Sequence, residues 1–525
     1  MTKDYRNSFS ASSSTSYNKK SSNRYASASK AQRIGRSGFT SKSRPQFVST
    51  LTSQSSGGGY RLSSEDAHSV NNVAGFGMGA ISTSPSGPSA RRTSQQPKGR
   101  MPSMPTSRTN PLISRRTFIA GAVGVGAVAA VAAGGVYLNH RAEQQAANAV
   151  TSLDVPKNAV TLVTSAYEQL EDYTTRMQNT LTVELPYGTL VYATDDAIAA
   201  CLIPTNGAAP LNTVSLLTLG GGQEIPLLEG AVGMNEGFEI YDVRASSSGI
   251  IWVEADILDN IWRVYGATLD GDSYALGEVM LLDEGDASLY ETPTLGVAGM
   301  YGFWQVLPKL GGEAITEDSL FKRTVFGSGN AEVLYTSHGR MATPPYSCAD
   351  SVVISPRVDT SGIYYQLTAI DAATGEVRDT LVLPASMKPL EAAYGPCGFA
   401  FSLDAWYQYE EGLDSIGTYT PVSLPGTGTE AYSGASWICY DRAPTAPPAW
   451  CSGDLIVKSR YSVVGVDSAA QQTFVLDVDS GADTYGEYLA TTGDRSSIVT
   501  FTNIDYTPLS GNATYCCRVK VWQAV

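Results

Sequence analysis

Histidine, the side chain that most often binds metals and moves protons in enzymes, is nearly absent: the 525 residues contain three. They are His68, His140 and His338, which stand far apart in the chain. A protein metal centre with two or three histidine ligands needs several of them together. We therefore predict no metal site and no cofactor, and we interpret His338, within the turn-forming residues 336–339, as a surface residue rather than a general base.

The sequence also lacks the common catalytic motifs. It contains no G-x-S-x-G nucleophile motif, no G-x-x-x-x-G-K-[ST] phosphate loop and no H-E-x-x-H zinc motif. Two acidic groups remain, and neither has the spacing of a calcium loop: Asp477, Asp479, Asp483 and Glu487, and Asp283, Glu284, Asp286 and Glu291. With 46 Asp and Glu after residue 149, a carboxylate pair suited to glycoside hydrolysis would arise somewhere without selection for it. We name no catalytic residue, and whether the protein is an enzyme stays open, with a negative answer favoured.

Charge is low overall but very unevenly distributed. Only 16% of the residues are charged, and the formal net charge is −14. Residues 1–116 hold 18 Lys and Arg against 3 Asp and Glu, a formal +15. The remaining residues hold 18 against 47, a formal −29. Such an asymmetry indicates that the two parts face different compartments or partners.

Residues 1–113 form a basic, Ser-rich segment without apolar periodicity. A chain of this composition cannot bury enough apolar surface to offset its conformational entropy, so we predict a disordered cytoplasmic tail. A solvated spacer is the favoured role. The open alternatives are a phosphorylation site at Arg91-Arg92-Thr93-Ser94 and binding to anionic lipid. Nucleic-acid binding is not favoured.

Residues 114–140 combine paired arginines with the longest apolar run. Arg115 and Arg116 are followed by Phe118, and the uncharged run of 22 residues from Thr117 to Leu138 is long enough to cross a membrane. The pattern resembles a bacterial twin-arginine export signal. A core helix of a soluble protein is the less favoured reading, because such helices rarely run this long without a polar face.

Two fates of this segment are open. Ala147 and Ala149 fit a small-x-small cleavage site, and cleavage after Ala149 would release the rest of the chain. We favour an uncleaved single-span anchor, because a long tail would have little use on a signal that is removed. In either case the basic side stays inside, so we predict the cytoplasmic membrane, with the N-terminus in the cytoplasm and the acidic part outside.

Residues 186–525 read as short strands that recur. A small or turn residue precedes a short apolar strand seven times, and the spacings between the markers are 60, 53, 49, 47, 56 and 43 residues. The markers are Leu190, Ile250, Phe303, Val352, Phe399, Leu455 and Ile498. Periods near 50 residues with several strands each are typical of propeller blades. We therefore predict an all-β protein with a β-propeller of seven blades, with six or eight as alternatives and paired β-sandwiches as the rival fold.

Local signals support the same fold. Asp371 and Gly375 have the spacing of an outer hairpin turn, and Pro-Pro pairs at 344–345 and 447–448 suit the entry to an inner strand. The last unit, ending in Tyr515–Trp522, lacks a fourth strand. We expect residues 141–185, a linker and ring-closing segment, to supply it from about residues 160–185. The best helical pattern in the exported part is Asn158–Met177.

The seven cysteines all follow residue 200. Export permits disulfides, and the pair that brackets a Pro-rich loop, Cys439 and Cys451, is the favoured candidate. Reduced, buried thiols are the alternative, because twin-arginine cargo folds before export. Cys516 and Cys517 should point to opposite faces of a strand, so at least one should pack in the core.

An irregular aromatic stretch is the best candidate for a binding surface. It contains Trp406, Tyr407 and Tyr409, and with the Gly/Pro-rich segment Pro421–Pro448 it breaks the repeat. Insertions in a propeller project from one face and often bind partners. A merely solvated insertion is the alternative.

The whole pattern resembles one family. The Ser-rich tail, the twin-arginine segment, Gly339–Pro345 and Cys516–Trp522 are similar to the twin-arginine (Tat) pathway signal proteins of anaerobic actinobacteria. The resemblance implies an extracytoplasmic propeller and no particular chemistry. We therefore expect a membrane-anchored binding or scaffolding module for a protein or glycan outside the membrane. The alternative is an exported, glycan-active or cofactor-holding enzyme.

Overall fold

The computed structural model describes residues 150–525 except 208, 361, 407–411 and 507–513. The tail 1–113, the segment 114–140, Arg115, Arg116, Phe118, Ala147 and Ala149 therefore lie outside the described residues. Within those residues, no helix has both the length and the apolar character needed to cross a bilayer.

The first described segment holds three strands and little helix. The strands are β1 (Val160–Leu162), β2 (Glu168–Gln169) and β3 (Met177–Leu185), and α1 (Val163–Ala166) is a single helical turn. Short 3₁₀ turns cover Lys157–Ala159 and Tyr173–Thr175. The best helical pattern, Asn158–Met177, thus forms only one helical turn, since β-branched residues such as Val160 and Thr161 favour extended backbone that pairs with the outer strands of neighbouring sheets.

Seven sheets follow along the chain, each with four antiparallel strands. Sheet 1 contains β4 (Leu190–Tyr192), β5 (Ile198–Pro204), β6 (Asn212–Thr218) and β7 (Glu224–Leu228). Sheet 2 contains β8 (Glu239–Ser246), β9 (Gly249–Asp256), β10 (Ile261–Thr268) and β11 (Met280–Asp286), after a 3₁₀ turn at Met234–Glu236. Sheet 3 contains β12 (Thr294–Ala298), β13 (Tyr301–Val306), β14 (Ser319–Val325) and β15 (Ala331–Ser337).

Sheets 4 and 5 repeat the same meander. Sheet 4 contains β16 (Tyr346–Cys348), β17 (Ser351–Ile354), β18 (Gln366–Asp371) and β19 (Val377–Val382). Sheet 5 contains β20 (Glu391–Gly395), β21 (Gly398–Leu403), β22 (Gly417–Pro421) and β23 (Trp437–Tyr440), with the short helix α2 (Thr429–Ser433) before β23. The strand β1 adds to β23 in parallel.

Sheets 6 and 7 complete the ring. Sheet 6 contains β24 (Ala449–Cys451), β25 (Asp454–Lys458), β26 (Val463–Asp467) and β27 (Gln472–Val475), flanked by the parallel strands β29 (Gly493–Arg495) and β2. Sheet 7 contains β28 (Tyr488–Leu489), β30 (Ser497–Tyr506), β31 (Thr514–Ala524) and, from the other end of the chain, β3. The described residues thus form an all-β propeller, as predicted.

Ring closure comes from the N-terminal segment. The strand β3 pairs antiparallel with β31 from Met177–Ala524 to Leu185–Cys517, and so supplies the fourth strand that the last unit lacks. Sheet 7 then packs on sheet 1 through a shared apolar cluster and a bridge between Ala193 and Thr491. The strand β31 is thereby paired on both sides, so its long edge is not exposed to edge-to-edge aggregation.

The core lies between neighbouring sheets. Alternation along β9 sends Ile250 and Trp252 into the cluster shared with sheet 1, and Ile251 and Val253 into the cluster shared with sheet 3. A strand that is buried on both faces has a continuous apolar run, which is why the second strands of sheets 2 to 7 gave the marker pattern. Six markers lie on second strands, but Leu190 lies on the inner strand β4, and β5 is the second strand of sheet 1.

The structure confirms the predicted hairpin turn at Asp371–Gly375 and the predicted position of the two Pro-Pro pairs. Asp371 Oδ1 accepts hydrogen bonds from the backbone N–H groups of Ala373 and Thr374, and Gly375 has a φ of +75° in the hairpin between β18 and β19. Both Pro-Pro pairs lead directly into inner strands, β16 and β24. The segment Pro421–Pro448 is not an insertion, because it contains α2 and the outer strand β23. Its Tyr432 is fully buried, so this segment is part of the core.

Candidate functional site

The central channel is too narrow for a ligand of substantial size. Residues of the inner strands and of the loops that lead into them line a cavity of about 90 Å³. Arg244 is one of these lining residues: its guanidinium lies 3.7 Å from the centroid of the Tyr192 ring and donates hydrogen bonds to Asp242 Oδ1 and to the carbonyl oxygen of Val243. Small-molecule sites usually span about 300–1,000 Å³. The channel therefore does not qualify.

A larger cavity of about 400 Å³ opens on one face of the propeller. This is the face where inner strands begin and second strands end, and we call it the entry face. The residues that line the entry-face cavity come from the ends of elements in sheets 5, 6 and 7: Leu390, Asp404, Pro444, Thr445, Lys458, Arg460, Thr484, Tyr485 and Tyr488.

Lys458 is the unusual group of this cavity. It ends β25, and its side chain is only 2% exposed. Nζ donates a hydrogen bond of 2.7 Å to the carbonyl oxygen of Tyr485 and lies 5.9 Å from the centroid of the Tyr488 ring. Burial lowers the pKa of Lys458 to about 8, although Glu487 and Asp483 favour its charged form.

The acidic residues near Lys458 already have hydrogen-bond or ion-pair partners within the protein. Glu487 is fully buried and accepts a hydrogen bond of 2.6 Å from Lys520 Nζ, which also lies 3.0 Å from Asp479 Oδ2. Asp483 accepts a hydrogen bond of 2.8 Å from the backbone N–H of Tyr485. Burial raises the pKa of both Glu487 and Asp483. The acidic group from Asp477 to Glu487 is thus a structural network rather than a calcium loop.

A second buried carboxyl group, Glu391, contacts a residue that lines the channel. Glu391 begins β20 and accepts a hydrogen bond from the hydroxyl of Tyr346, which lines the channel, while Leu390 lines the entry-face cavity. Its Oε1 has no hydrogen-bond partner among the described residues. Burial raises the pKa of Glu391 well above its ordinary value.

The predicted binding surface is only partly described. Tyr407 and Tyr409 lie outside the described residues, and Trp406 is 66% exposed. Trp406 stands two residues after Asp404, in the loop that leads from β21 to β22 on the entry face. The aromatic stretch therefore begins beside a residue that lines the cavity.

The predicted disulfide does not form. Cys439 lies on the outer strand of sheet 5 and Cys451 on the inner strand of sheet 6, and their side chains pack in different apolar clusters. All seven thiols are free, and six of them are buried. Cys517 packs between sheets 7 and 1, as expected for one of the two adjacent cysteines.

The remaining predicted positions are structural or solvent-exposed. His338 is exposed at the end of β15, with Nδ1 2.9 Å from Asp318 Oδ1, and that contact raises its pKa. In the second acidic group, Asp283 binds Lys322 Nζ and the indole N–H of Trp304, each at 2.7 Å. Within the described ranges, no cluster of three metal-ligating side chains is present.

Sequence reasoning missed Lys458 and Arg460. A signal existed, because residues 117–525 contain only 18 Lys and Arg, and these two stand two positions apart at the end of a marker strand. What the sequence does not show is that the loop before β24 and the one before β28 enclose them.

Comparisons with known proteins find only distant similarity to solved structures. No family model matches the chain, and no curated protein matches it. Among solved structures, a prolyl endopeptidase has a TM-score of 0.39 at 10% identity over 68% of this chain and 48% of its own. A puromycin hydrolase has a TM-score of 0.40 at 13% identity, over 63% of this chain and 53% of its own. The propeller domain of the Trilobed protease from Pyrococcus furiosus has a TM-score of 0.39 at 11% identity, over 63% of this chain and 97% of its own. The chain thus spans about half the length of the first two.

Proposed function

We propose that the protein is a membrane-tethered, extracytoplasmic β-propeller that binds a partner through the entry-face cavity. The observation that carries the proposal is Lys458, a buried lysine that lines a cavity of ligand size. Buried charges in proteins are nearly always paired. Among the described residues, no carboxylate lies within ion-pair distance of Lys458 Nζ. A bound partner would supply the missing counter-charge.

The rest of the cavity suits recognition. Arg460 adds a second cation, and Tyr485 and Tyr488 add ring surface with centroids 6.2 Å apart. Sites that bind small ligands combine apolar and aromatic walls with a few placed polar groups. Tethering and orientation rest on the paired arginines, the apolar run and the charge asymmetry of the sequence.

Site-specific photo-crosslinking tests the binding role. A photoreactive residue replaces Thr484 in the cavity, and a matched control replaces Val377, an exposed residue on the outer strand β19. We expect adducts in intact cells from position 484 alone. Equal adducts from both positions, or none from position 484, would refute the proposal. Hydrolysis of cell-wall glycans that Asp404→Asn abolishes would favour the exported enzyme instead.

Fractionation tests the tether. The full chain is detected separately through residues 1–113 and through the propeller. We expect both signals in the membrane fraction, with the propeller alone accessible to protease added to intact cells. A propeller recovered free in the medium would show that the segment is cleaved.

A further inference from the structure

We propose that the entry-face cavity binds an acidic sugar, with the ligand carboxylate between Lys458 and Arg460 and the sugar ring against Tyr485. This inference rests on the proposed function, because it names the ligand of the same cavity. The preferred ligand is a carbohydrate that carries a carboxylate, rather than a phosphate dianion or the C-terminus of a peptide.

The position of Lys458 defines the anion site. An ammonium group has three hydrogen-bond donors, and in the described part of the chain one of them has an acceptor, the carbonyl oxygen of Tyr485 at 2.7 Å. Glu487, a buried carboxylate whose charge acts on Lys458, accepts its hydrogen bond from Lys520 Nζ at 2.6 Å. Lys458 therefore keeps donors for an anion that enters the cavity.

Arg460 supplies the second contact. It stands two residues after Lys458, in the turn that follows β25, and it lines the same cavity. A guanidinium can hold a carboxylate through two parallel hydrogen bonds. Asp404 in the same lining cancels one positive charge. The lining carries a net charge of about +1, which matches a monoanionic carboxylate better than a phosphate dianion.

The walls favour a sugar over a peptide end. The Tyr485 side chain is 57% exposed and presents a ring at the opening of the cavity. The buried hydroxyl of Thr445 also lines the cavity and has no hydrogen-bond partner among the described residues. An aromatic face and a hydroxyl match a ring that carries several hydroxyl groups, because a sugar offers both C–H surface and donors.

Calorimetric titration of the full-length chain in mild detergent tests the inference. The probes are methyl β-glucuronoside and its neutral counterpart, methyl β-glucoside. We expect measurable binding of the glucuronoside and at least about tenfold weaker binding of the glucoside, because one charge-assisted contact is worth that much. The Lys458→Met variant should lose about tenfold in affinity or more, and Arg460→Gln a few-fold, since Arg460 is exposed.

Lys157→Met is the matched control. Lys157 is exposed and pairs with Asp414 on the surface at 3.0 Å, so its loss should leave affinity unchanged. Raising the pH from 7 to 9 should weaken glucuronoside binding by about tenfold, because Lys458 loses its proton above pH 8. The titratable and charged groups that face Lys458 are Asp404, Arg460, Asp483, Tyr485, Glu487 and Tyr488. Burial raises the pKa of Asp483, Glu487 and Tyr488, and loss of a proton from any of these three would add negative charge, which weakens anion binding in the same direction.

Three outcomes would overturn the inference. Equal affinity for the charged and the neutral glycoside would show that Lys458 and Arg460 do not bind the carboxylate. Unchanged glucuronoside affinity in Lys458→Met would place the ligand elsewhere. Tighter binding of an acetylated dipeptide with a free carboxylate than of the glucuronoside would replace the sugar with a peptide end. Photo-crosslinking from position 484 tests the binding role independently of these titrations. Specific adducts in cells together with any of these three outcomes would therefore refute the acidic sugar but not the proposed function.

Discussion

Replacing Lys458 with methionine should stabilise the propeller at neutral pH. Burial moves the pKa of Lys458 from 10.5 to about 8, so the charged form is disfavoured in the folded state relative to the unfolded chain. A shift of one pKa unit corresponds to about 1.4 kcal/mol. The cost at pH 7 is thus about 3 kcal/mol, and because the side chain is 2% exposed, solvent screening reduces it little.

Other contacts offset part of the gain. Methionine keeps the apolar stem of the side chain but loses the hydrogen bond from Nζ to the carbonyl oxygen of Tyr485, which is worth about 1 kcal/mol. We expect a net gain of about 1–2 kcal/mol in the free energy of unfolding at pH 7. For a chain of this size, such a gain raises the midpoint of thermal unfolding by a few degrees.

The dependence on pH gives the sharper test. A lysine with a lowered folded pKa destabilises the fold below that pKa, and the cost fades as the pH rises from about 8 toward 10.5. The advantage of Lys458→Met should therefore shrink by about 1 kcal/mol between pH 7 and pH 9. Thermal scans of both proteins at the two pH values, with Lys157→Met as the exposed control, measure this. A constant advantage, or a loss of stability at pH 7, would refute the reasoning.

Four further results are expected. Tyr432→Phe removes a hydrogen bond of 2.6 Å to the buried carboxylate of Asp379 and should cost about 1.5–3 kcal/mol in denaturant unfolding. Glu391→Gln should stabilise the fold at pH 7 but not at pH 4. Because the pKa of Glu391 is raised in the folded state, the wild-type protein loses stability as the pH rises above about 4.5, and thermal scans of both proteins at the two pH values measure the difference. Thiol titration of the native protein should modify Cys397 first, since the other cysteines are buried. Deletion of Met177–Leu185 should expose the edge of β31 and cause aggregation, visible by light scattering.

The fold was largely predictable because propeller strands leave a periodic trace. Second strands are buried on both faces and separated by turns that need Asp or Gly, so their spacing appears in the sequence without knowledge of any contact. The missing strand after Trp522 likewise implied a partner from the other end of the chain, and β3 is that partner. Leu190 was assigned to the wrong strand because β4 and β5 are both short apolar runs, and periodicity alone does not distinguish them.

The predictions that failed depended on the path of the chain between sheets or on elements too short to leave a periodic signal. Cys439 and Cys451 are 12 positions apart, but the chain crosses from the outer strand of one sheet to the inner strand of the next between them. The segment Pro421–Pro448 looked like an insertion because its single helical turn and four-residue strand are too short for a periodic signal.

By itself, the sequence determined the charge asymmetry, the apolar run and the repeat, since each is a property of composition or of local order. Only the tertiary structure decided where chemistry can occur. Lys458, Asp404 and Tyr485 belong to three different sheets, and nothing local to any of them indicates a cavity. Ring closure brings the ends of those strands to one face, and the burial that results leaves Lys458 with no carboxylate at ion-pair distance among the described residues.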